Sequence, residues 1–547
     1  MIPFDHALDN VDGAVSGARL PYVYELLSYL VKRSGCRHII DVGCGAADKL
    51  TSPDENVEIV CLGAARMRES VARTLPTANF IEADLSLGMP QLNVPLRDAI
   101  IVCTDIECLP DPTTVIRDLA RLAYECAYVL ISTPDRARND IVHQANVVDP
   151  VNWTAEEFKR QLVDCGFPEG FLIGYTADNE SNLSKNTILV VAGRDATFVR
   201  PERIKSVAAI INVFNEEDIL EQVVRYLHDQ CVQVHIVDNW STDGSYEIAE
   251  TLVARGLCAK VIRFPAAPPT DYDWMGLLRH ASEYGASLQA DWIIHHDADE
   301  FRCAPWPSVT LTEAISFVDS LGYTAIDFTI LNFRFTDSDE KRPFSPAARP
   351  FCEFGCHPGD FLQIKAWKNQ GTSVDLASTG GHEAIFAGRR VFPLKFLTRH
   401  YPLRSTTQAS TRVFRDRLPR FEREKRERGW HDHYDIFMTM GSVRSWRRRE
   451  LMTFNSIIFT AEFLTERLSG IGIQTEKQTV PNVNTVVEWL KTFEMTSRRL
   501  QETSRRLQEL ELEIAAMRQS SSWKITAPFR DLKSRLTGAF SVVRPAL

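Results

Sequence analysis

The sequence predicts an α/β protein: two successive open sheets with flanking helices, followed by a helical C-terminal segment. Three observations carry that expectation. Strand-like apolar runs alternate with helical periodicity across residues 1–198, the alternation restarts at Ser206 after a polar stretch, and helical patterning dominates from Trp446 onward. At 547 residues the chain is too long for one core, in line with several units.

The composition is that of a globular protein, and the net charge of -10 offers no general basic face, so nucleic acid is not an expected partner. No stretch approaches the roughly 18 uninterrupted apolar residues of a membrane span. Met1-Ile-Pro-Phe-Asp-His lacks a basic start and an apolar core, so no secretory signal is expected. The twelve cysteines are scattered and mostly lie in apolar segments (Cys61, Cys103, Cys126, Cys231), as buried thiols do, which points to reducing cytosol. Cys352-x-x-x-Cys356-His357 is the one cluster, and no second pair completes a zinc site.

In the first unit, Pro21–Val31 reads as a helix and His38–Asp41 as a strand. Val42-Gly-Cys-Gly-Ala-Ala-Asp48 follows, and a strand leading through a glycine turn into a helix lets backbone approach a nucleotide closely. Further strands are expected at 58–62, 99–104, 128–132 and 187–191, with helices at 64–74, 113–124 and 154–165. That is a doubly wound pattern. Asp41-x-Gly43-x-Gly45 resembles the first motif of class I S-adenosylmethionine-dependent methyltransferases, a Rossmann-like fold. Asp84 falls where that family's adenine-contacting acid stands, and Thr104-Asp105-Ile-Glu107 resembles its fourth motif. The resemblance implies S-adenosylmethionine as a ligand of Asp41, Gly43, Gly45, Asp84 and Asp105. The pattern departs at Ala47, at Leu62 and Gly63 where a ribose-binding acid is expected, and at Cys108 where related sequences carry His. A scaffold that keeps the fold and a working methyltransferase both remain open, and these departures lean toward the scaffold.

Arg194–Lys205 is polar, contains Pro201 and reads as a linker. The second unit, 204–440, opens with the buried-strand run Ser206–Val213. Asn215 is placed to cap the next helix, with Glu216, Glu217 and Asp218 in its first turn, where the helix dipole favours acids. Ile219, Leu220, Val223, Val224 and Leu227 then form one apolar stripe. A strand at 232–237 ends in Asp238-Asn-Trp-Ser-Thr-Asp-Gly-Ser245, an acid at the position where open sheets bind nucleotides. Asp291-Trp-Ile-Ile-His-His-Asp-Ala-Asp-Glu-Phe301 opens as a buried strand and ends in three acids. Asp297 and Asp299 are spaced i, i+2, so in an extended segment both face one side and repel unless a cation lies between them. A hard divalent ion such as Mg²⁺ or Mn²⁺ suits such oxygen ligands and leaves positions for substrate phosphates.

Those three segments, in this order and spacing, resemble the family 2 glycosyltransferases of the GT-A fold. The resemblance implies an inverting transfer from a nucleotide sugar, with Asn215, Glu216, Asp238 and Asp297 toward the donor and Asp297 and Asp299 on the metal. An acceptor hydroxyl needs a positioned proton acceptor. Thr379-Gly-Gly-His-Glu383 offers Glu383 first and His382 next, with Asp327 more remote, and His400 in Arg399-His-Tyr-Pro402 is a candidate third metal ligand. Arg399, Arg404 and Arg412 are candidates to face phosphates, with surface charge as the plainer reading. Tyr272, Trp274 and Trp367 offer stacking faces for a sugar, although packing is the stronger expectation.

The C-terminal segment, 441–547, holds the heptad Thr496–Glu502 repeated at 503–509, with an apolar seam over about 490–518. It reads as a coiled coil joining copies of the chain, or as one amphipathic helix folded back. Trp523, Lys524, Phe529, Arg530, Lys533 and Arg535 form a basic amphipathic end that resembles a tail of bacterial surface-glycan glycosyltransferases, suited to an anionic membrane surface or to solvent. The expectation is a cytoplasmic enzyme, at most peripheral to the membrane's inner face. It would move sugar from a nucleotide-sugar donor to a glycan or lipid-linked glycan during cell-surface polysaccharide assembly. The rival readings are a bifunctional enzyme that also methylates, and a non-catalytic coiled-coil scaffold.

Overall fold

The structure, a computed structural model, describes residues 23–454 apart from 45–49, 51–55, 105, 137–152, 178–185, 270–271, 307, 340–343, 355–361, 419 and 421–441. The expected coiled coil and basic tail, Cys356 and His357 therefore lie outside the described residues.

Among the described residues the strands form two sheets. The first contains β1 (His38–Val42), β2 (Glu58–Gly63), β3 (Asn79–Glu82), β4 (Ala99–Cys103), β5 (Tyr128–Pro134), β6 (Leu172–Ala177) and β7 (Asn186–Ala192). Its order is β3-β2-β1-β4-β5-β7-β6, parallel except that β7 runs antiparallel to β5 and β6. Helices α1 (Val23–Ser34), α2 (Arg68–Thr74), α3 (Pro112–Leu122) and α4 (Ala155–Asp164) connect it. Asp111 caps α3 ahead of Pro112, and Thr154 and Glu157 close a reciprocal capping box on α4, so both helix starts are fixed locally. The expected helix from 64 opens instead as a tight turn at Ala65–Met67 and becomes α-helical at Arg68.

The second sheet contains β8 (Val207–Val213), β9 (Gln233–Asp238), β10 (Lys260–Arg263), β11 (Trp292–Asp297), β12 (Glu300–Cys303), β13 (Ala325–Phe333), β14 (Phe351–Phe354), β15 (Gln363–Lys368), β16 (Phe396–His400) and β17 (Met452–Thr453). Strands β10-β9-β8-β11 are parallel, and β15 continues the sheet antiparallel to β11. Helices α5 (Leu220–Asp229), α6 (Ser245–Ala254), α7 (Trp274–Ser287) and α8 (Leu311–Ser320) flank it. The predicted stripe of α5 is buried in full, from Ile219 to Leu227. Of the helical reading from Trp446, the described part keeps only a 3₁₀ turn at Arg448–Glu450. Met452 and Thr453 then pair with β14 as a strand.

The segment after β7 is less of a linker than its polarity suggests. Ala196 and Thr197 are buried, and Phe198 packs against Trp306 and Phe317 with ring centres 5.6 and 5.5 Å away. Trp306 Nε1 donates to the Ala196 carbonyl at 3.0 Å, and Tyr29 Oη of α1 donates to the Pro393 carbonyl at 2.8 Å. One apolar core, including Leu26, Leu30, Tyr128, Trp306, Phe317 and Phe392, therefore serves both sheets.

Candidate active site

The parallel strands β8, β9 and β11 end side by side: Asn212 is in register with Asp297, and Val213 with Asp238. The loops that follow consequently share one edge of the sheet, the crevice where open α/β sheets take ligands. Asn215 joins two of these loops and does not cap α5, whose first residue is Leu220. Its φ of +56° turns the backbone, and its Oδ1 accepts from Thr242 N at 2.8 Å. An Asn tolerates this left-handed conformation better than most residues, which outweighs its capping preference.

Asp238 is buried at the end of β9, where Ser241 N donates to it at 3.3 Å and Arg263 Nε lies 3.4 Å away. Burial raises its pKa despite the hydrogen bonds from Ser241. Arg263 is itself flanked by the rings of Tyr246 at 3.7 Å and Trp240 at 4.7 Å. It comes beside Asp238 only through strand pairing, which the sequence does not display.

The Asp297-x-Asp299 segment is a turn between β11 and β12, not one continuous strand, so the two carboxylates take different partners. Lys365 Nζ donates to Asp297 Oδ2 at 2.6 Å. Burial works against both charges. Lys365 nevertheless holds Asp297 low, and Arg412 with His400 holds Asp299 well below the usual carboxylate range. Arg412 Nη2 donates to Asp299 Oδ2 at 2.6 Å, while Nη1 pairs with Glu216 Oε1. Arg404 is buried, donating to Glu216 Oε2 at 2.7 Å and to both Asp218 oxygens at 2.7 Å. The plainer reading of Arg404 and Arg412 as surface charges is overturned, because the buried acids Glu216 and Asp299, on two distant loops, draw them inward. Arg399 likewise packs over Tyr226 and Phe301.

His400, at the end of β16, sets its Nε2 3.6 Å from Asp299 Oδ2. Its Nδ1 meets Asn332 Oδ1 at 2.8 Å, and an amide oxygen only accepts, so Nδ1 carries a proton. Nε2 then presents either a lone pair, which repels the carboxylate unless a cation joins them, or a second proton. Burial disfavours that second proton, but Asp299 outweighs burial and raises the His400 pKa. A carboxylate and an imidazole fixed from behind by Asn332 are a donor set that Mn²⁺ would fit better than Mg²⁺, which favours oxygen ligands. Among the described residues no three His, Cys, Asp or Glu side chains close on one point. Of the expected set, Asp299 and His400 come together while Lys365 holds Asp297.

The loop that bears His382 and Glu383 is anchored by glycines. Gly381 has φ +90°, and a Cβ there would meet Leu278 at 2.9 Å and His295 at 3.4 Å, so only glycine lets the loop lie on α7 and β11. His382 is exposed, and its Nδ1 lies 2.8 Å from Gln363 Nε2. Gln363 lies two residues before Lys365 on β15, whose pairing with β13 is irregular and leaves Lys365 without a register partner there. Glu383 accepts from Arg389 Nη1 at 3.2 Å. Asp327 is buried against Lys395 and the Gln363 backbone N–H, which removes it as a proton acceptor for a substrate. Tyr272 and Trp367 are buried, and Trp274 donates to the Gly380 carbonyl at 2.9 Å, so all three act in packing. Lys365, Gln363, Asn332 and Arg263 went unrecognised in the sequence. Only Lys365 left a trace, as a charge inside the apolar run Gln363–Trp367.

In the first sheet, Asp41 is buried at the end of β1, and Tyr24 Oη donates to its Oδ2 at 3.4 Å. Gly43 has φ +75° directly after the strand. Asp84 is exposed and binds Ser86 Oγ at 2.6 Å. Gly45 and Asp105 lie outside the described residues.

Among the described residues no helix is long and apolar enough to cross a membrane. No curated protein matches the chain. Over the N-terminal region the chain is similar to solved methyltransferases. One is the plantazolicin methyltransferase BamL in complex with a triazolic desmethylPZN analog and SAH, at 16% identity over 31% of this chain and 83% of that one, TM-score 0.26. A second is a SAM-dependent methyltransferase from Aquifex aeolicus, at 16% identity over 30% and 86%, TM-score 0.21. A third is CalS10, an amino pentose methyltransferase from Micromonospora echinaspora, at 13% identity over 30% and 88%, TM-score 0.22. Residues 208–301 match the family model described as Glycosyl transferase family 2, and span β8 to β12, the strands that carry Glu216, Asp238, Asp297 and Asp299 on their connecting loops and turns. The chain thus carries a family 2 glycosyl transferase domain, and glycosyl transfer is its general chemistry.

Proposed function

We propose that residues 204–440 perform metal-dependent, inverting transfer of a sugar from a nucleotide-sugar donor to a glycan acceptor, in the assembly of cell-surface polysaccharide. The observation that carries this reading is the Asp299–His400 pair at the edge where β8, β9 and β11 end. Asp299 and His400 would hold the ion, which when bound would supply divalent charge for a departing nucleoside diphosphate. Asp238 accepts hydrogen bonds from the donor's base, and Asn215 with Glu216 shapes the loop beneath the nucleotide. Lys365 fixes Asp297 toward the ribose.

Glu383 takes the acceptor's proton: its carboxylate is steadied by Arg389, whereas Gln363 Nε2 donates to His382 Nδ1 and so leaves the proton of a neutral His382 on Nε2. Reaction at the sugar carbon opposite the diphosphate then gives inversion. Turnover of a donor panel with and without Mn²⁺, in the wild type and Asp299→Ala, tests the reading.

A second reading adds S-adenosylmethionine to the first unit, 1–198. The buried Asp41 at the end of β1 followed by the left-handed Gly43 favours it. Isothermal titration with that cofactor decides between a methylating enzyme and a retained scaffold.

A further inference from the structure

Arg412 stands on a π-helical turn, Thr411–Arg417, that continues the short helix Thr406–Ser410. Such turns are rare and concentrate at functional sites. This one sets a guanidinium between two acids from separate loops, Glu216 after β8 and Asp299 after β11. The two acids depend on it unequally. Glu216 has Arg404 at 2.7 Å on its other oxygen and Arg417 at 3.6 Å, so it remains paired without Arg412. Asp299 has His400 at 3.6 Å, and Arg412 contacts the same oxygen, Oδ2, that faces that imidazole. Arg412 also reaches solvent, at 12% exposure against 1% for Arg404.

Given the reading that Asp299 and His400 hold a divalent ion, on which this inference rests, one carboxylate oxygen is claimed by two cations. A guanidinium and a divalent ion on one oxygen repel at close range. Removing Arg412 without replacement would strand its own charge. An incoming diphosphate supplies the planar pair of acceptors that a guanidinium binds best.

We propose that Arg412 is a resident counter-ion. It occupies the Asp299 carboxylate in the donor-free enzyme and transfers to the diphosphate as the metal takes Asp299, so metal and diphosphate bind together and the metal binds weakly alone.

The test is calorimetric titration of the full chain with Mn²⁺ alone and with Mn²⁺ plus inorganic pyrophosphate. Arg412→Gln is expected to bind Mn²⁺ alone about tenfold more tightly than the wild type, and to gain less from pyrophosphate. Arg412→Lys keeps the charge but loses the fork, and gives a smaller gain of the same sign. It carries the test if the glutamine variant does not fold. Arg415→Gln, on the same turn but exposed and paired with Asp416, should leave Mn²⁺ affinity unchanged. Equal Mn²⁺ affinity in the wild type and the Arg412 variants would overturn the proposal. So would an equal gain in Arg415→Gln, because that would be a general field effect. If Asp299→Asn binds Mn²⁺ as the wild type does, or no form binds it, the metal reading itself fails, and the proposal with it.

Discussion

Arg404 reaches across 188 positions of chain to set its Nη2 2.7 Å from Glu216 Oε2. With Asp218 on Nε and Nη2 and the Tyr401 carbonyl on Nη1, this buried guanidinium ties the loop after β8 to the segment after β16. It therefore closes the floor of the candidate active site.

Replacing that guanidinium leaves the Asp218 carboxylate without its fork and Glu216 with one cation fewer. Arg404→Met is expected to lower stability by about 2 kcal/mol, since it removes charge-assisted hydrogen bonds to the buried Glu216, which keeps Arg412 and Arg417. Urea unfolding of the two proteins measures it, and equal midpoints would show that the pair is dispensable.

The proton acceptor is assigned by comparing two substitutions. Glu383→Gln should lower kcat by about 10²–10⁴-fold with little change in KM for the donor. His382→Gln should have a smaller effect, through loss of the Gln363 contact that steadies the loop. The reverse ranking in steady-state kinetics would move the role to His382.

Buried histidines set the acid side of the stability curve. Burial, with Lys365 and Arg302 adding like charge, pushes His295 and His296 each down to about 3. Unfolded histidine titrates near about 6.5, so between roughly pH 6.5 and 3 the unfolded chain binds protons that the native one refuses. Their contribution is full above that range and is lost as pH falls. His400 has the opposite sign: its raised pKa gives stability that is present below about pH 6.5 and lost as pH rises through the folded value. His296→Asn should reduce the slope of stability between pH 6.5 and 5 by about 1.4 kcal/mol per pH unit. Denaturant titrations across that range check it, and an unchanged slope would mean that His296 is protonated in the native protein.

The shared core predicts that the two sheets unfold as one. Scanning calorimetry should give a single transition for their melting, and Trp306→Ala should weaken it by about 3–5 kcal/mol. Two separated transitions in the wild type would contradict a continuous core.

Much of this architecture was legible because central parallel strands are near-continuous apolar runs. β1, β4, β5, β8 and β11 all fall where such runs stand. In the first sheet the strands that escaped notice, β3 and β6, occupy the two edges, and in the second β10, β12, β13, β14, β15 and β17 went unexpected. In β3 the half-exposed Asn79-Phe-Ile-Glu82 carries no such signal. At the site, Asp238 and Asp299 were readable because their acids end apolar strands. Of the cations on these acids, Arg412 was named only as a phosphate contact, and Arg263 on Asp238, like Lys365 on the neighbouring Asp297, was not readable, since both arrive through pairing far off in sequence. Asn215 misled for a related reason: its left-handed backbone is decided by the Thr242 loop, not by α5.

The most direct measurement is donor consumption by the full chain, with and without Mn²⁺, for the wild type and Asp299→Ala. The account predicts that one nucleotide sugar is consumed only with metal, and that the substitution abolishes its turnover. Metal-independent turnover that survives Asp299→Ala would contradict it.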